Sequence, residues 1–149
     1  MNPFDLKAAL LARHAQHVVL IHFPIALFIS SVAFDVIARV AGSRSLARAA
    51  YYNLIGAAIM ALPAVLTGVL AWQLQLEGAK LRGNLRLHLA LGASSAVLIW
   101  MLAWWRRGQE RDNRGSLAAG YWAAAFLAVM VVAITGHLGG ILSGVEVPN

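Results

Sequence analysis

The chain has 149 residues, of which 60% are apolar and only 12% charged, and twelve Lys+Arg against six Asp+Glu give a net charge of +6. A water-soluble domain carries about twice that share of charge, so composition excludes both a soluble globule and a disordered chain. The cations stand between apolar runs rather than in one stripe, which fits the flanks of membrane spans and excludes a nucleic-acid partner. There is no cysteine, hence no disulfide, thiolate metal site, cysteine nucleophile or covalent haem attachment through C-x-x-C-H.

In chain order, Asn2 to His17 reads as an interfacial helix. Asn2 caps it, Pro3 suits its first turn, and Leu6, Leu10 and Leu11 form an apolar side beside Lys7 and Arg13. Four apolar stretches follow, at about 18–40, 49–76, 85–105 and 117–139, each long enough to cross about 30 Å of hydrocarbon. The first is too long for a cleaved signal peptide and is interrupted by His22, Pro24 and Asp35, so it is expected to stay in the protein. The links AGSRSLAR, EGAKLRGN and RRGQERDNRG are short and contain Gly and Arg, as at membrane interfaces. Short links join antiparallel neighbours. The sequence therefore predicts an all-α, up-down-up-down four-helix transmembrane bundle, one domain over 1–149, with no repeat at solenoid spacing.

Within the spans, Asp35 is expected to pair with Arg39 at i+4. Pro63 is expected to kink the second span, with Thr67 absorbing some of the disturbance. Lys and Arg in the loops set the orientation. The side of the termini and second loop has Lys7, Arg13, Lys80, Arg82 and Arg86; the other has Arg39, Arg44, Arg48, Arg106, Arg107, Arg111 and Arg114. Seven against five favours both termini outside, in a periplasm if the source is Gram-negative.

Five histidines, His14, His17, His22, His88 and His137, fall at the starts of spans one and three and the end of span four. Alternating spans bring all five to one membrane face. Ionisable residues in spans usually face the bundle interior, and neutral imidazole is a common metal ligand. Without cysteine and with few carboxylates nearby, such a cluster suits one or two b-type haems held by axial imidazoles. His22, His88 and His137 are the leading ligands, with His17 completing a second pair. Spans one and three lie diagonally, so His22 and His88 would bracket a central haem. Gly92, one turn after His88, would leave room for the macrocycle, and Arg86, with its neighbouring cations, would meet the propionates. Two other readings stand beside this one: a polyhistidine copper or zinc site, and a scaffold subunit whose histidines only bond neighbouring helices. His14, which precedes the apolar run, is read as interfacial.

The stretch H-A-Q-H-V-V-L-I-H-F-P-I-A-L from His14 to Leu27 resembles the opening of a bacterial four-span inner-membrane family of unknown function. That family typically reads H-P-x-H-P-x-x-x-H-F-P-I-A-L. A downstream aspartate at Asp35, T-G-x-x-x-W from Thr67 to Trp72 and G-H-L-G-G from Gly136 to Gly140 extend the likeness over nearly the whole chain. Ala15 and Val18 replace two prolines of the pattern, and Ala71 replaces the acidic residue usual before Trp72. Members of that family are fused to, or encoded beside, Rieske iron–sulfur and c-type cytochrome modules. The resemblance thus implies a redox setting. The expectation is an electron carrier rather than an enzyme, in a bacterial inner membrane. It would exchange electrons with a periplasmic cytochrome c or Rieske-type partner and with quinol or an inner-membrane complex, as a monomer or an oligomer.

Overall fold

The computed structural model describes residues 13–75, 80–111 and 117–144, with the side chains of 13–15, 75, 110 and 111 outside that description. The interfacial helix expected before His17 falls for its greater part outside the described residues. Four helices follow: α1 (Arg13–Ala41), α2 (Arg44–Gln75), α3 (Gly83–Arg111) and α4 (Ala119–Leu142). Their membrane-crossing segments are Gln16–Ala41, Arg44–Leu74, Gly83–Gln109 and Ala119–Leu142. The protein is an all-α four-helix bundle with four helices long and apolar enough to span a membrane.

The α1–α2 turn shows how local sequence sets the antiparallel hairpin. Gly42 takes φ 63°, and the Ser43 N–H reaches back to the Ala38 carbonyl at 3.0 Å, closing the end of α1. Ser43 then starts α2, its Oγ accepting the Leu46 N–H at 3.4 Å. Helix reversal therefore needs only two residues between Ala41 and Arg44.

The helices form a ring in which α1 packs on α2, α2 on α3, α3 on α4, and α4 more thinly on α1. On α2 the interior is mostly alanine: Ala50, Ala57, Ala58, Ala61 and Ala64 are buried with Leu54, beside Phe28 and Val32 of α1. Small side chains let backbones approach where lipid supplies no hydrophobic drive for association. The buried Ser31 Oγ donates to the Ala50 carbonyl at 2.8 Å, joining α1 to α2. Ile99 and Leu102 of α3 and Tyr121 of α4 complete the core, whereas Val40, Trp104, Met101 and Met130 are well exposed. That distribution suits a hydrocarbon solvent.

The two hairpins repeat one burial pattern. The buried positions of α1 are Pro24, Phe28, Ser31, Val32, Asp35 and Ala38; those of α3 are Ser95, Ile99, Leu102, Ala103, Arg106 and Gln109, each 71 residues later. The same step carries Ala50, Leu54, Ala57 and Ala61 of α2 to Tyr121, Ala125, Ala128 and Val132 of α4. It also carries His17 to His88 and Gly68 to Gly139. The paired side chains mostly differ, so the repeat lives in burial rather than in identity. Parallel repeats of this kind are related by an axis along the membrane normal.

Candidate functional site

Two polar layers result, one near each end of the bundle. His17 and His88 each stand 18 residues before Asp35 and Arg106 respectively, about 27 Å along a helix. That is close to the full hydrocarbon thickness.

At the histidine end, His17 of α1 lies against α2. A methyl added at Gly68 would come within 2.9 Å of its Cε1, so the ring occupies a notch that only glycine leaves. Its Nδ1 is 3.2 Å from Thr67 Oγ1. Thr67 has one hydroxyl hydrogen, directed at the Pro63 and Ala64 carbonyls at 2.8 and 3.0 Å. With that hydrogen on a carbonyl, the hydroxyl oxygen is placed to accept the His17 Nδ1–H, the tautomer that leaves the ring's lone pair on Nε2. His88 of α3 repeats the arrangement on α4: a methyl at Gly139 would lie 3.1 Å from its Cε1, and its Nδ1–H donates to the Thr135 carbonyl at 3.1 Å. The hydroxyl of Thr135 donates to the Val131 carbonyl at 2.7 Å, so the nearby Ser95 Oγ, 3.3 Å away, is the donor between those two. His17 and His88 are half-buried and tie each hairpin together.

The other histidines are placed differently. His22 is exposed, its Nδ1–H turned onto the Val18 carbonyl of its own helix at 2.6 Å. His137 is also exposed. Five residues separate His17 from His22, about 140° around the helix, so they cannot face the same neighbour. His137 stands two residues before Gly139, about 200° from the face that meets His88. The His14 side chain is outside the described residues. Gly92, expected to leave open space, has the Thr135 methyl group at 3.8 Å from an added Cβ. Arg86, Lys80 and Arg82 are exposed at this end. Among the described residues, no three His, Asp or Glu side chains converge as a metal site would require.

The opposite end holds an ion pair that sequence spacing assigned differently. Asp35 binds Arg106 of α3, with Arg106 Nη1 donating to Oδ1 at 2.8 Å and both side chains only 3% exposed. Arg39, the expected i+4 partner, is exposed. The reason is solvation: inside an apolar bundle a carboxylate needs a cation that is buried with it, and Arg39 points away from the interior. Tyr121 OH donates to Asp35 Oδ2 at 3.2 Å, and Arg106 Nη2 donates to the Ala47 carbonyl at 3.1 Å. The Arg106 guanidinium also lies 5.9 Å from the Tyr121 ring centroid. One cluster thereby links all four helices. Arg106 counted among loop cations in the sequence; Tyr121 carried no signal there.

Fold and polar layers define a class: a small four-helix membrane bundle with a histidine face and a buried ion pair at opposite ends. The chain belongs to the DUF2231 family of predicted membrane proteins, whose model matches residues 13–146. Searches of curated proteins and of solved structures gave no match.

Proposed function

We propose that the chain is a b-type cytochrome-like electron carrier of the bacterial inner membrane, in which His17 and His88 would hold the haem. The observation that carries this reading is the matched pair of imidazoles, one per hairpin, each with Nδ1 on a threonine oxygen. A bond from the other ring nitrogen to an oxygen is how proteins orient a metal-bound histidine. Two imidazoles suffice for a haem, whereas a polyhistidine copper or zinc site needs three or more protein ligands, a set that the described residues do not assemble. A haem bound there would supply reversible one-electron chemistry. The chain's own part would be to hold the two rings beside its apolar interior and to offer Arg86, Lys80 and Arg82, exposed at that end, to the propionates.

His22 and His137, exposed on the bundle, are not ligands in this reading. The family resemblance supports a cytochrome c or Rieske-type partner. Loop charge supports termini in the periplasm, although burying Arg106 in its ion pair reduces the count of inner cations from seven to six, against five. A second reading, the scaffold subunit, draws on the same bonds: His17 and His88 already clasp α1 to α2 and α3 to α4.

Absorbance of the detergent-purified protein from haem-replete cells separates the readings. The carrier gives a Soret band, a sharpened α band on dithionite reduction, and about one haem per chain. Colourless protein with neither haem nor metal favours the scaffold, and colourless protein with stoichiometric copper or zinc favours a metal site.

A further inference from the structure

Because Asp35 turns inward to Arg106, Arg39 one turn later keeps its charge at the bundle surface, with no ion pair or hydrogen bond among the described residues. It borders a groove of about 330 Å³ between the loop-side ends of α1 and α4, the thinnest seam of the ring. The remaining walls are apolar: Val36 and Val40 of α1, and Leu117, Trp122 and Phe126 at and along α4. Trp122 and Phe126 are stacked, with centroids 6.1 Å apart and planes at 28°, forming a flat aromatic side. The Trp122 indole N–H is engaged by no described residue.

We propose that this groove binds one anionic phospholipid, its headgroup phosphate on Arg39 and an acyl chain along the apolar walls. The chemistry is complementary: a guanidinium is the side chain best matched to phosphate, and among the described residues no carboxylate lines the groove to compete for it. The groove lies at the interfacial level, where Arg39 is two residues from the end of α1. A basic pocket between helices at that level recognises lipid headgroups, and Trp is suited to the ester zone beneath them. Free phosphate would leave the apolar walls unused, so the occupant is the lipid.

Native mass spectrometry of the full-length protein in mild detergent, titrated with phosphatidylglycerol or phosphatidylcholine, tests this. The wild type holds one phosphatidylglycerol about fivefold more tightly than phosphatidylcholine. Arg39→Gln removes that preference, Val36→Trp weakens both lipids by filling the groove, and Arg48→Gln, an exposed cation outside it, changes neither. Inorganic phosphate does not displace the lipid. Helical circular dichroism confirms that each variant is folded. Unchanged phosphatidylglycerol binding in Arg39→Gln, an equal loss in Arg48→Gln, displacement by phosphate, or a quinone in place of phospholipid would each overturn the assignment.

Discussion

Asp35 of α1 and Arg106 of α3 meet at 2.8 Å across the bundle, although α1 and α3 are not among the helix pairs that pack side by side. They occupy equivalent positions of the two hairpins, so the repeat brings opposite charges together where identical residues would repel. This pair, with Tyr121 and the Ala47 carbonyl, fixes the ring of four helices at the end away from the histidines.

Breaking the pair leaves a buried charge without its partner. Arg106→Gln should destabilise the protein by about 3–5 kcal/mol, measured by denaturant titration in detergent. The double exchange Asp35→Arg with Arg106→Asp should recover part of that loss. Equal stability of wild type and Arg106→Gln would show that the pair contributes nothing to the fold.

Tyr121→Phe removes one donor to Asp35 but keeps the ring. The same titration should show a smaller loss, about 1–3 kcal/mol, because Arg106 still neutralises the carboxylate. A loss as large as that of Arg106→Gln would mean that the hydroxyl, not the cation, governs the cluster.

The glycine notches separate close approach from mere helix propensity. Gly68→Ala brings a methyl within 2.9 Å of His17 Cε1 and should cost about 1–3 kcal/mol, and Gly139→Ala, at 3.1 Å from His88 Cε1, should cost less. At Gly136 nothing lies within 4 Å, so Gly136→Ala should be neutral or mildly stabilising. A uniform response at all three positions would remove the histidine contact as the cause.

The four spans were legible in the sequence because length and apolarity alone decide whether a helix crosses a bilayer. Placement of the histidines at one face was equally legible, since it follows from alternating spans. Rotation about each helix was harder to read. A membrane helix is apolar toward lipid and toward its neighbours alike, so hydrophobic periodicity does not mark the inner face. That is why His22 and His137 read as ligands equal to His88, although the spacing from His17 to His22 already set them about 140° apart. The Asp35 partner was missed because the i+4 rule describes solvated helix surfaces, and Asp35 is 4% exposed. One clue was available: His17 to Asp35 and His88 to Arg106 share the same spacing.

The ring tautomers are open to direct observation. Nitrogen-15 spectra of the haem-free protein labelled at histidine should show the proton on Nδ1 in both His17 and His88. Thr67→Val, which removes the acceptor but keeps the shape, should release that preference at His17 and leave His88 unchanged. Nε2-protonated rings in the wild type would contradict the hydrogen-bond assignment.

Most directly, the ligand pair can be tested by the Soret spectrum of the purified protein across single histidine substitutions. His17→Ala and His88→Ala should each abolish or convert the low-spin bis-imidazole spectrum, while His14→Ala, His22→Ala and His137→Ala retain it. Loss of the spectrum in His22→Ala or His137→Ala, with His17→Ala and His88→Ala unaffected, would contradict the account.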